Sequence, residues 1–331
     1  MPSWSRRVLF RIVVVAALGL APTAGRAACG SANCFLFTNT SAGMARPGAF
    51  IVDLSWRYVP MDRKLEGSSS TDTVLTPRID FENETIEPDH HEEISTLNSL
   101  VELALIWGAT PRLTVTGVLP LMVRHDHEHF DDADTPDPVF SSTDGGAGFG
   151  DAQVGLRYGF LVTGRNLLDG TLAIKAPTGA WQLLDSEGAI TEPGLQPGSG
   201  SWDLIASVHY EHQVRPDRLE WFVNGSWRDN RANSLDYTVG DESVVSVGIE
   251  SAIGARAFWS MQVNARHAGR DDYLGDPVPS TGSTWVTLTP GLRSAGTVSV
   301  YGYVQVPVYQ YVNESNLAPS YGVQLGVSAA F

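Results

Sequence analysis

Five of the eight histidines sit in two polar stretches. His90 and His91 lie in EPDHHEE (87–93), and His125, His127 and His129 in RHDHEHFDDADTPD (124–137). Imidazole nitrogens are ligands for divalent metals such as Zn²⁺, Cu²⁺ and Ni²⁺. In an extended chain alternate residues share a side, so His125, His127 and His129 project together while Asp126 and Glu128 face away. One reading is loose capture of a divalent metal by these five histidines. The competing reading is a solvated acidic loop, self-repelling and mobile. Neither describes an enzyme, because a catalytic zinc needs fixed ligands, an open coordination position and a positioned base. The chain has no GxSxG elbow, and GGAGFGD (145–151) lacks the lysine of a phosphate loop and leads into a strand. His209 and His267 fall on strands, the first in the inward phase and the second in the outward phase. The expectation is therefore no enzyme, and no cofactor beyond a loosely held divalent metal.

The elements that must position these residues are strands. In YGVQLGVSAAF, Tyr321, Val323, Leu325, Val327, Ala329 and Phe331 form one apolar face, and small or polar residues form the other. Before it, Val298, Val300, Val304, Val306 and Val308 alternate with Ser299, Tyr301, Tyr303, Gln305 and Tyr309. A helix would scatter both sets around its circumference. Similar segments occur near 48–60, 96–108, 112–124, 149–161, 168–179, 201–214, 218–228, 242–254, 256–268, 283–294, 297–310 and 320–331. Each is about the length of a tilted bilayer-crossing strand. Short turns (ATPR, TGRN, RPDR, GARA, SAGT) alternate with long polar connections at 61–95, 125–148, 180–200, 229–241, 269–282 and 311–319. Short on one side and long on the other is the pattern of an outer-membrane barrel. The expected fold is all-β, a transmembrane antiparallel up-and-down β-barrel of about 12 strands spanning 48–331. A soluble β-sandwich shares the strand spacing. It does not call for aromatics near strand ends on the apolar face, where Trp56, Tyr58, Trp107, Trp202, Tyr210, Trp227 and Tyr321 suit interface girdles. Phe331, a terminal aromatic on an alternating strand, suits recognition by the outer-membrane assembly machinery.

The segment 1–27 reads as a signal peptide. Arg6, Arg7 and Arg11 precede or enter the short apolar run Val8–Leu20, and Gly25 and Ala27 offer a cleavage point. Export to the outer membrane of a Gram-negative cell follows. The chain holds 22 basic and 37 acidic residues, for a net charge of −15. The signal takes away arginines and no acid, so the mature chain is more acidic still. That excludes nucleic acid and anionic lipid surfaces as partners held by charge and leaves outer-membrane lipid as the surroundings. Cys29 and Cys34, the only two cysteines, are expected to form a disulfide in a periplasmic segment over 28–47.

The face opposite the apolar one would be a lumen. It carries Arg57, Glu102, Arg157, Lys175 and Glu220, and on later strands Arg266, Arg293, Tyr301 and Tyr303. Charges of both signs at the polar phase of so many strands need partners or water. Inward Phe222, Tyr301, Tyr303 and Tyr309 would narrow the passage.

Three further stretches, GFGDAQVGLRYGF (148–160), LAIKAPTGAW (172–181) and PGSGSWDL (197–204), together resemble the outer-membrane proteins grouped as the meta-pathway phenol-degradation family. The resemblance implies a barrel that passes small organic molecules. The histidine-acid stretches and the Cys29–Cys34 pair depart from the family pattern and tilt toward metal or cationic solutes, so the expected solutes are organic compounds by the resemblance or cations and metal by the acidic, histidine-rich stretches. The alternative is a non-conducting barrel serving as a surface metal-binding or adhesion structure.

Overall fold

The computed structural model describes residues 44–331 except 134, 143–144 and 186–187. The signal segment, the Cys29–Cys34 pair and most of the 28–47 segment lie outside the described residues.

Twelve long strands run β1 (Phe50–Glu66), β2 (Thr85–Gly108), β3 (Leu113–Asp131), β4 (Gln153–Val162), β5 (Asn166–Lys175) and β6 (Asp203–Arg215). The second half continues with β7 (Leu219–Asp229), β8 (Glu242–Ile253), β9 (Ala257–Ala268), β10 (Ser283–Ser294), β11 (Val298–Val312) and β12 (Gly322–Ala330). Each pairs antiparallel with its sequence neighbour. β1 also pairs with β12, which closes the ring. Closure removes the free sheet edges that a bilayer cannot satisfy. Outward positions are apolar and exposed, as with Val154, Leu156, Leu172, Ile174, Val300 and Leu325, while inward positions hold the polar residues.

The wall is taller on one side than the alternation suggests. β1 continues to Glu66, β2 begins at Thr85 and β3 runs to Asp131, so much of the expected loops 61–95 and 125–148 is strand. The residues are polar, but their backbones still pair, β2 with β3 as far as Glu92↔Phe130. Two bulges set their phase. Leu121 is extra between the pairs Val101↔Met122 and Glu102↔Pro120, and Ile94 is extra between Glu93↔His129 and Ser95↔Glu128. A bulge inserts one residue and reverses which side the following residues face. Below Leu121 the even-numbered residues of β3 point inward; above it His125, His127 and His129 do, each about 2% exposed. The solvated-loop reading of these histidines therefore fails.

Tyr309 is the second correction. The β10–β11 register shifts between Val286↔Tyr309 and Thr287↔Pro307, and the phase change turns Tyr309 outward, 48% exposed. Tyr301, Tyr303 and Phe222 do face inward, but they do not project across the barrel. Each lies against a glycine directly opposite on the next strand: Tyr301 on Gly326, Tyr303 on Gly291 and Phe222 on Gly248. A glycine leaves room for the ring against the wall.

The outer connections are folded too. Ile79, Tyr237, Tyr273 and Val278 make a small core with Phe81 and Ile86, and Ser315–Pro319 pairs with the top of β1.

Candidate functional site: the outer mouth of the barrel

The connection 176–202, between β5 and β6, crosses the mouth. At its base Asp151 accepts hydrogen bonds from the Gly179 amide (2.9 Å) and the Ser199 amide (2.9 Å). Lys175 Nζ lies 2.9 Å from Asp151 and 2.6 Å from Asp203. The backbones of Gly150, Gly179 and Gly198 approach so closely that a Cβ on Gly179 would meet them at 2.8–2.9 Å. The three stretches behind the family resemblance thus converge on one knot. A buried lysine shared by two carboxylates, each also hydrogen-bonded, meets the condition under which buried charges are tolerated.

Beyond the knot, Leu184 and Ile190 bridge, and a short 3₁₀ turn, Pro193–Leu195, rests against the 145–150 segment through the Gly146 amide and the Leu195 carbonyl (3.0 Å). This brings Glu192 to the histidines of the tall wall, with its carboxylate 2.5 Å from His91 Nδ1.

Four of the five histidines gather here. The ring centroids of His90 and His91, His91 and His129, and His129 and His127 lie 4.8, 4.5 and 4.6 Å apart. His90 joins because β2 loops out over 88–90, with Asp89 at φ 56°. Asp131 Oδ1 accepts from His129 (2.8 Å) and lies 3.1 Å from His91 Nε2. His127 Nδ1 meets Thr96 Oγ1 at 2.8 Å, leaving its Nε2 3.3 Å from Glu93 Oε2. Glu93 is steadied by the Thr76 hydroxyl (2.6 Å). His125 stands apart, hydrogen-bonded to Asn98 (2.6 Å). Burial alone would lower the His91 imidazole, but the Glu192 and Asp131 carboxylates raise it to about 10. Burial would raise Glu192, and the charge on His91 holds it down at about 2. Sequence reasoning missed Glu93, Asp131 and above all Glu192. No local spacing links a residue at 192 to one at 91; only the path of the connection does.

Two cavities meet at this cluster. An inner one is lined by apolar Met61, Leu195, Val278 and Leu317 and by polar Thr96, Asp271 and Asn316, with Glu93, His127 and Glu192 also bordering it. An outer cleft is bounded by His91, His129, Asp131 and again Glu192.

Deeper in the barrel the inward side chains are paired and close-packed. Arg157 forks onto Asp169 (2.6–2.7 Å), Arg266 bonds Glu242 (2.6 Å), and Arg293 bonds Glu250 (2.9 Å). Tyr301 donates to Asp53 (2.8 Å), and Arg57 lies within electrostatic reach of Glu102. Glu220 faces Glu250 across the β7–β8 pair. His209 is inward against Phe222, with ring centroids 6.1 Å apart, and His267 is outward and meets Thr284 (2.9 Å).

No family model and no curated protein matches the chain. Among solved structures, an outer membrane channel from Pseudomonas putida F1 aligns over 88% of this chain and 99% of its own, with a TM-score of 0.61 at 12% identity. A Pseudomonas aeruginosa FadL homologue (TM-score 0.42, 13% identity, 95% of this chain and 99% of that one) is also similar. So is the Pseudomonas putida toluene transporter TodX (TM-score 0.42, 11% identity, 95% and 98%). The chain has the fold of an outer-membrane channel barrel, closed by twelve antiparallel strands.

Proposed function

We propose that the protein is an outer-membrane channel for small organic solutes. The observation that carries this reading is the closed twelve-stranded barrel, whose fold matches that of an outer membrane channel along 88% of the chain, with a cavity at its mouth lined by both apolar and polar side chains. Below it the polar interior is tightly filled, with Lys175 and Glu102 about 1% exposed. Twelve strands lie between the filled eight-stranded barrel and the open sixteen-stranded pore. Both features favour a narrow route over a wide aqueous pore. Phe331, 65% exposed on the outer face, suits recognition by the assembly machinery.

Liposome swelling with solutes of graded size tests the reading. Proteoliposomes should admit small alcohols and phenols faster than disaccharides. Leu195→Trp, which fills the cavity, should slow the small solutes severalfold. Swelling equal to that of protein-free vesicles for every solute would leave the non-conducting alternative standing.

A further inference from the structure

We propose that His91, Glu93, His127 and Glu192 form a binding site for a divalent first-row transition metal, and that the bound ion fastens the 176–202 connection across the mouth. The site is built from three separate parts of the chain: β2 gives His91 and Glu93, β3 gives His127, and the connection gives Glu192. His91, Glu93 and Glu192 present ligand atoms all within 4.8 Å of one another, and His127 Nε2 is 3.3 Å from Glu93. Tetrahedral zinc, with bonds of about 2.0–2.2 Å, needs ligand atoms separated by roughly 3.3–3.5 Å. The cluster closes on that spacing with small side-chain movements.

Two further observations point to an ion. His91 Nδ1 and Glu192 Oε1 are buried against each other as an ion pair, and His127 Nε2, 3.3 Å from Glu93, is buried without a hydrogen-bond partner. His91 and His127 are 5% and 2% exposed, and buried polar atoms of this kind ordinarily find one. The opposite nitrogen of each ring is also engaged. Asp131 lies at His91 Nε2 and Thr96 at His127 Nδ1, the outer contacts that fix the tautomer of a metal-binding histidine and aim its lone pair. Two imidazoles with two carboxylates suit Zn²⁺, Ni²⁺ or Cu²⁺ rather than Ca²⁺ or Mg²⁺, which take oxygen ligands.

Glu192 is the only one of the four on the connection, and it borders both the inner cavity and the outer cleft. An ion held there would sit in the partition between them and tie the connection to the tall wall.

Titration calorimetry of the full-length barrel in detergent with ZnCl₂ reads binding without any transport assay. One equivalent is expected to bind, and Ca²⁺ is expected to give no heat. Glu192→Gln and His127→Gln should each weaken binding about tenfold or more. Glu128→Gln and His125→Ala, outside the set, should bind as the parent does. Heat-modifiable migration in gels confirms that each variant is folded. Limited proteolysis should find the 188–191 stretch protected by Zn²⁺ in the parent and unprotected in Glu192→Gln. No binding by the parent would overturn the site. So would full affinity in both ligand variants, or an equal loss in His125→Ala. Binding without protection would overturn the fastening.

Discussion

Lys175 shows what a single residue can hold. It is about 1% exposed between Asp151 and Asp203, and Asp151 also receives the amides of Gly179 and Ser199. Removing one partner of a buried pair leaves the remaining charge unpaired, at a cost of about 3–5 kcal/mol. Lys175→Met should lower stability by that amount in urea unfolding followed by tryptophan fluorescence. Adding Asp203→Asn should recover part of the loss, since the two sites are coupled. The glycine–ring contacts make a second residue-scale prediction. A Cβ at Gly291 would overlap the Tyr303 ring, so Gly291→Val should push that ring into the lumen. Overpacking of this kind costs about 1–3 kcal/mol, and the variant should also slow liposome swelling by small solutes.

At the scale of elements, period-two alternation was enough to count the strands. It also placed Arg57, Glu102, Arg157, Lys175, Arg266 and Tyr301 on the inward face, because one side of every strand had to be apolar. Where bulges intervene, alternation misleads: Tyr309 shares the odd phase of Tyr301 and Tyr303 yet faces out. A bulge is one extra residue with no compositional mark at Leu121 or Ile94, so it is not legible without the partner strand. The strand extension of β2 and β3 was hidden for a related reason. Its residues are polar because no lipid surrounds them, although the backbone ladder continues. Deleting Leu121 should straighten β3 and leave the histidines inward, with Zn²⁺ affinity kept. Inserting one alanine between Arg124 and His125 should turn them outward. Their imidazoles would then react with diethyl pyrocarbonate, and Zn²⁺ affinity would fall.

For the whole molecule, the charge that an ion entering the proposed channel would sense comes from the mouth. The wall charges are paired inside, as Arg157 with Asp169, Arg266 with Glu242 and Arg293 with Glu250. The outer connections and strand tops carry an excess of acids. Reversal potentials in planar bilayers should show cation preference at low salt. The preference should shrink as the screening length drops from about 10 Å at 0.1 M to about 3 Å at 1 M. Equal permeability to both ions at low salt would contradict it.

The pairing of β1 with β12 has a consequence in time. Phe50 and Phe331 exchange backbone hydrogen bonds (3.3 and 2.9 Å) across the seam, joining the earliest strand to the latest. Until that contact forms the chain is an open ribbon with two bare margins, each able to recruit a stranger. Contacts so distant along the sequence also assemble slowly. Biogenesis is thus most hazardous in the interval before the seam zips, when a chain cut short at β12 would be left to aggregate or be degraded.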